Sequence, residues 1–514
     1  MKINKKETKI GFLFGAGAER SYGMPSGGKF ALDIFRENPE FGKAEIKKMR
    51  DSIDKSTSYA SNWLPDGFDK NRIQVFGTRV FDSIIRDTVG NNRGKIIDKI
   101  NCFDSVALDA LSEINYEKNI DLNEIIEKDL QTSIVNINVN QKIKYSKFFT
   151  DGDKLFSNRY FAVLLEYYKK FTFDKLEEKT ELGELIKAIF QLQIGAMSEN
   201  ISRNLEDNIF SKEELELDIF DDLGGSLNVN YESAGVRGLE LLSKNHGNES
   251  LSPIIAFAYD VIERIYSDVL DYKTLIDSNW HYLYNPYNEW AKFCKISVFL
   301  YTVQKYIKEK SEELDKTKSG YYDDLNDSSI IKSVIATTNY SSFIGEKLDD
   351  NVVYLNGGVD WYYDPYFNSI GNKKSLDSIE KHFIVPLIFT QSGTKPMTSI
   401  DMSRKYVDFY DKLKNSDAVC SVGFAYNPDD EHVNGIIRTI IDRDNKRLYV
   451  IDIDSVEESD KRNALALKKQ ENLAKKLKVI NRNNIIYIIV NGDRLGDQDK
   501  IWTDILLEKV HEYD

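Results

Sequence analysis

The chain has 514 residues, more than one ordinary hydrophobic core organises, so two or more domains or one heavily elaborated domain are expected. Its 69 Lys and Arg against 83 Asp and Glu leave a net charge of −14, which argues against a broad nucleic-acid footprint. Three widely separated cysteines (Cys102, Cys294 and Cys420) form no disulfide framework, CxxC pair or zinc ribbon, and no apolar run is long enough to span a bilayer.

The Lys-rich start precedes only five apolar-leaning residues, too few for a signal peptide, and the reducing cytoplasm is the expected compartment. The run 10–14 (IGFLF) reads as a buried strand that breaks into Gly15-Ala16-Gly17, with Gly23-Met24-Pro25 and Gly27-Gly28 ahead of a helical pattern over 27–36. Strand, glycine turn and helix start together suit a phosphate, because glycine lets the backbone approach a ligand and free N–H groups at a helix start attract an anion. Such turns also arise from packing alone. From about 40 to 325 the pattern is mainly helical, with examples at 73–86, 156–171, 181–196, 253–270 and 287–311, and short strands are possible at 133–139 and 226–229.

At about 331 short apolar runs return: 331–337, 352–355, 383–388, 417–424, 447–453 and 484–490, separated by helical stretches at 400–415, 430–443 and 456–478. That alternation predicts an α/β fold with a parallel sheet covered on both faces. The lone first strand needs these partners, so a Rossmann-like domain is expected from residues 1–36 plus 331–514, interrupted by a helical insertion over 37–330. Ligands in such sheets bind beyond the carboxyl ends of the strands. There the chain places Gly15-Ala16-Gly17, Thr337-Thr338-Asn339-Tyr340, Asn356-Gly357-Gly358, Gly423-Phe424, the Asp429-Asp430-Glu431-His432 run, Asp452 with Asp454, and Asp493.

Taken in that order, these segments resemble the sirtuin-like (SIR2) superfamily, and within it the bacterial anti-phage branch that consumes NAD⁺. The likeness rests on Gly15-Ala16-Gly17 with Gly23-Met24-Pro25-Ser26, on Thr337 to Tyr340, on Leu355-Asn356-Gly357-Gly358-Val359-Asp360-Trp361, and on Ser421 to Phe424 with Asp452 and Asp493. It covers residues 9–36 and about 331–495 and leaves the helical block unexplained. The resemblance implies that the glycine turn cradles the NAD⁺ phosphates, that Asn339 contacts the nicotinamide ribose, and that Asp452 holds the adenosine ribose. The NAD⁺-binding set it implies is Gly15, Ala16, Gly17, Arg20, Pro25, Ser26, Thr338, Gly423, Phe424, Asp452 and Asp493.

Two departures bear on chemistry. The four-cysteine zinc module of deacylating sirtuins has no counterpart, so no zinc and no protein deacylation are expected. The family's catalytic His in a His-Gly pair is Asn356 here, and a carboxamide is no general base. His432, after the fifth strand, is the best substitute, although its acidic neighbours equally suit ordinary helix capping. The catalytic set expected is therefore Asn339, Asn356 and His432. Each residue also has a bland role: Asn339 as a helix cap, Asp452 as a polar strand end, Lys29 and Arg20 as solvated cations, and Trp361, Tyr362 and Tyr363 as packing aromatics. The resulting expectation is an NAD⁺ hydrolase working as a homo-oligomer or with a regulatory or sensor subunit, without direct nucleic-acid or membrane contact. Its alternative is a catalytically silent nucleotide-binding subunit.

Overall fold

The computed structural model describes residues 8–25, 27–118, 120–138, 158–173, 175–197, 241, 252–267, 273–348, 351–376, 381–388, 399–454 and 459–512. The chain forms two compact units, one of residues 1–26, 37–76 and 273–514, the other of 27–36 and 77–272. This division departs from the boundaries at 36 and 331 expected from composition. The helix Glu40–Ser52 packs along the 28-residue helix Pro286–Glu313 within the first unit. The helix Gly27–Arg36 instead packs in the second, where Phe35 meets Phe81 (ring centroids 4.9 Å apart) and Arg36 pairs with Glu263 at 3.6 Å.

Nine strands are described in the first unit: β1 (Lys9–Phe14), β2 (Ile331–Thr337), β3 (Val352–Tyr354), β4 (Gly357–Asp364), β5 (Ser369–Gly371), β6 (Val385–Ile388), β7 (Ala418–Val422), β8 (Leu448–Ile453) and β9 (Ile485–Val490). Six of them make a wholly parallel sheet in the order β3-β2-β1-β7-β8-β9. Counted among themselves these strands run 3-2-1-4-5-6, the doubly wound order, and the direction of winding reverses between β1 and β7. Every residue of β1 after Lys9 is buried, as a strand flanked on both sides and covered on both faces requires. Ile10, Phe12 and Phe14 share one face. There Phe12 meets the edge of Trp502 at 6.4 Å, on the helix Trp502–His511, and Phe14 meets Tyr322 at 5.1 Å, on the helix Tyr321–Asp327. The helix Ile400–Lys414 packs on β1 and β2, and Ser459–Leu477 packs on β9.

The run 383–388 does not join this sheet. Its residues Val385–Ile388 pair antiparallel with β4, giving a separate three-stranded sheet ordered β5-β4-β6. Pro386 is the physical reason: it lacks an N–H for a central position and is tolerated on an edge strand such as β6. The stretch expected as a strand at 133–139 holds a 3₁₀ turn at Ile134–Asn136 instead, and 226–229 lies outside the described residues.

The second unit is helical. Its helix Pro253–Ser267 buries apolar residues on nearly every side, including Ile255, Phe257, Val261, Ile262 and Ile265, and packs against Phe103–Lys118, Leu176–Met197 and Gly27–Arg36. Asp104 accepts hydrogen bonds from the Arg159 and Tyr160 amides at 3.0 and 2.9 Å, satisfying the start of the helix Arg159–Lys170.

Candidate functional site

The carboxyl ends of β1 and β7 meet where the winding reverses. Gly15 N–H donates to Val422 O at 3.0 Å, and Gly17 N–H donates to Gly423 O at 2.9 Å. The two turns touch backbone to backbone. A Cβ on Gly15 would stand 2.5 Å from Gly423 O, and one on Gly423, whose φ is +64°, would stand 2.2 Å from Ala18 N. The glycines therefore answer first to the crossing of two loops. Since the Gly15 and Gly17 amides are spent on it, Ala16, exposed at the tip, carries the amide of this turn that has no acceptor among the described residues. The helix that follows at once, Gly17–Arg20, is a single turn, and the helix expected over 27–36 forms at Gly27–Arg36.

The loop after β2 is pinned beside this turn. Thr338 N–H and Thr337 Oγ1 both donate to Phe14 O, at 3.1 and 3.2 Å, and Thr337 Oγ1 accepts from Asn339 N–H at 3.0 Å. Asn339 Nδ2 donates to Gly15 O at 3.2 Å, bringing the Asn and the glycine turn into direct contact across some 320 residues of chain. The side chain of Asn339 is nearly buried.

One strand further out, Asn356 is 4% exposed and holds the centre of a polar cluster. Its Nδ2 faces two acceptors, Asp430 Oδ1 at 3.4 Å and Thr338 O at 3.5 Å, while its Oδ1 lies 3.1 Å from His432 Nε2. Because acceptors fix the amide orientation, Oδ1 faces the imidazole, and Nε2 must carry the proton. In neutral His432 the lone pair is then on Nδ1. Tyr406 packs edge-on against His432 at 5.2 Å and donates to Leu355 O at 2.5 Å, fixing the ring against the end of β3. His432 opens the helix Glu431–Asp442.

Other expected residues fall at varying distance from this centre. Phe424 is 9% exposed and packs edge-on against Tyr426 at 4.7 Å. Asp452 is the penultimate residue of β8, one strand beyond β7, with its carboxylate 2.8 Å from Lys469 Nζ. Asp493 follows β9 at the sheet edge, roughly 10 Å from β7 at the usual strand spacing, and is exposed. Arg20 is exposed and Pro25 half-buried; Ser26 and the Lys29 side chain lie outside the described residues. Tyr362 and Tyr363 are buried with their hydroxyls satisfied by Gln304 (3.0 Å) and by Asn368 (2.8 Å) and Tyr284 (2.7 Å), as packing residues would be. Trp361 lies under Lys405 Nζ, 4.1 Å from the ring centroid, and burial lowers that lysine's pKa.

Sequence reasoning passed over Glu19. It is 1% exposed, and both carboxylate oxygens lie 2.9 Å from Ser341 Oγ, with Tyr322 OH donating at 3.2 Å. Burial pushes its carboxyl above the ordinary range, against the downward pull of hydrogen bonds from Ser341, Asn339 and Tyr322. The signal for it was present, since a carboxylate two residues after Gly15-Ala16-Gly17 follows a buried strand, but its partners come from segments some 300 residues away.

Comparison of the chain with protein-family models, with curated proteins and with solved structures returns no match. Among the described residues no group of three or more His, Cys, Asp or Glu side chains is placed to hold a metal ion, and no helix is long and apolar enough to cross a membrane.

Proposed function

We propose that this protein is an NAD⁺ hydrolase of the sirtuin-like superfamily, an effector of bacterial anti-phage defence that releases nicotinamide and ADP-ribose. The observation that carries the reading is the convergence of Asn339, the glycine turn and the Asn356–His432 pair at the reversal point of a 3-2-1-4-5-6 sheet. Nicotinamide is already a good leaving group, so the task is to orient the ribose, stabilise oxocarbenium character and admit water. In this scheme Asn339 Oδ1 accepts a ribose hydroxyl, and the Ala16 amide reaches a phosphate oxygen. The C1′–N bond breaks with its electron pair leaving on nicotinamide. Water attacks C1′, and its proton passes to His432 Nδ1. Asn356 holds the opposite nitrogen of that ring as a donor, and Asp430 and Thr338 O hold Asn356 (3.4 and 3.5 Å).

The deciding measurement is nicotinamide release by the purified chain, with and without the products of neighbouring genes, since a regulatory subunit or self-assembly is part of the proposal. Activity should be abolished by Asn339→Ala and fall roughly 10²–10⁴-fold in His432→Ala, the usual contribution of a general base. Absence of nicotinamide release by the chain and by the assembled complex would end the proposal, and undiminished turnover in both variants would remove Asn339 and His432 from the site. The second reading, a nucleotide-binding regulatory subunit without turnover, is favoured by the carboxamide at 356 and by the spent amides of Gly15 and Gly17. Tight NAD⁺ binding without product in the assembled complex selects it.

A further inference from the structure

We propose that the helical second unit carries a binding site of its own, for a small molecule with an ammonium group on an apolar body. The site is a cavity of about 310 Å³ bordered by the helices Leu122–Leu130, Arg159–Lys170, Leu176–Met197 and Pro253–Ser267. All its lining residues belong to the second unit, so the proposal stands apart from the nucleotide reading.

The apolar wall follows from helix periodicity. Leu122, Ile125, Ile126 and Asp129 fall at i, i+3, i+4 and i+7 of one helix, so the four share the face that lines the cavity. Tyr167 and Phe171, four residues apart at the end of the helix Arg159–Lys170, add two stacked rings with centroids 4.5 Å apart. Ile254 extends the apolar lining from the start of the helix Pro253–Ser267. The volume matches the lower end of the range small-molecule sites occupy, roughly 300–1,000 Å³, where apolar walls and a few convergent polar groups are the rule.

The charges on this lining are of one sign. Asp129 and Glu178 both border the cavity, and among the described residues no Lys or Arg does. Asp129 Oδ2 accepts from Tyr167 OH at 2.6 Å, while among the described residues Oδ1 has no donor and no cation pairs with the carboxylate. Glu178 meets a cation only at Lys175, 3.8 Å away with its side chain 70% exposed. Ser252 adds an unmet hydroxyl. Its carbonyl accepts the Ile255 and Ala256 N–H groups, both at 3.0 Å, as an N-cap does, yet its Oγ is buried without a hydrogen-bond partner among the described residues. A carboxylate without a cation beside an apolar wall calls for a positively charged donor. An ammonium supplies three N–H donors, and the stacked rings offer it a π face. A carboxylate or phosphate would meet Asp129 and Glu178 with no cation between them, so anionic ligands are rejected.

The test uses the full-length chain labelled with ¹³C at the isoleucine δ1 methyls, with Ile125→Val and Ile254→Val to assign two signals at the cavity. Hexylamine, 2-phenylethylamine and tryptamine are each titrated to about 10 mM. At least one should shift both signals saturably. The alcohol of the same shape should bind at least about tenfold more weakly, the scale of one charge-assisted hydrogen bond, and the matching carboxylate should leave both signals in place. Asp129→Asn, which keeps an acceptor for Tyr167 OH, should weaken the amine about tenfold and bring it level with the alcohol. Failure of all three amines to shift these signals overturns the proposal, as do shifts confined to other isoleucines. Equal affinity for the amine and its alcohol or carboxylate overturns it too, and so does equal affinity of wild type and Asp129→Asn for the amine. Should that variant not fold, the comparison of amine with alcohol on the wild type decides alone.

Discussion

At Gly423 a side chain has nowhere to go: the backbone is left-handed, at φ +64°, and the nearest heavy atoms are backbone atoms of Gly17 and Ala18 at 2.2–2.7 Å. Gly423→Ala should therefore cost at least about 3 kcal/mol, measured by urea denaturation, through strain plus displacement of the β1 turn. At Glu19 the same experiment acquires a pH dependence. With its pKa raised by burial, this carboxyl binds its proton more tightly in the folded protein than in the unfolded chain. The stability it contributes is complete below the unfolded value near 4.5 and is lost as pH rises through the raised folded value. Wild type should thus lose stability relative to Glu19→Gln as pH rises above 4.5. Asn339 and the glycines were legible in the sequence because each follows an apolar strand directly. Glu19 was not, because burial of a charge is decided by what packs over it, here Tyr322 and Ser341.

At the scale of elements, the parallel strands were legible as continuous apolar runs such as IIYIIV in β9, while β4 was not. Its sequence GGVDWYYD opens on two glycines that signal a turn, although the Trp and Tyr residues after them favour extended backbone. Gly357 does make a turn, with φ +86°, and a Cβ there would lie 1.9 Å from Leu387 O on β6, so the glycine that suggests a loop is what admits the neighbouring strand. The small sheet is held to the helix Pro286–Glu313 by Gln304, whose Nε2 donates to Val359 O at 2.6 Å and to Tyr362 OH at 3.0 Å. Gln304→Ala leaves both buried groups unpaired beside a cavity and should cost about 2–4 kcal/mol in denaturant unfolding. A second clamp joins three elements on the other side of the parallel sheet. Asp324, on the helix Tyr321–Asp327, accepts from Trp502 Nε1 at 2.9 Å and pairs with Arg494 in the loop after β9. Both partners of that ion pair are largely buried, so Asp324→Ala strands a guanidinium and should lower stability by about 3–5 kcal/mol.

For the whole molecule the decisive fact is that its central strand comes from the first fourteen residues. Lys9–Phe14 pairs with β2 on one side and β7 on the other. Removing residues 1–25 would open two parallel edges inside a sheet, and edges of that kind recruit other chains. Such a truncation should lose soluble yield and near-ultraviolet circular dichroism together, whereas full yield with an intact spectrum would show that the sheet closes without β1. The sheet was legible at this scale, since a lone strand before a helical block demands later partners. The boundary between units was not, because helices 40–52 and 286–313 carry the same composition as the second unit and declare their allegiance only by packing.

That arrangement also sets a schedule for synthesis. The Ile10–Phe14 segment leaves the ribosome ahead of both its neighbours, the second of which ends at Val422. At about 5–20 residues per second, on the order of half a minute passes before both flanks exist. Throughout that interval this apolar segment has no complete sheet to enter, and a holdase bound to it is the natural occupant. Release should coincide with emergence of Ala418–Val422, so ribosome-bound chains stalled before that point are expected to retain the chaperone and those stalled well after it to have shed it.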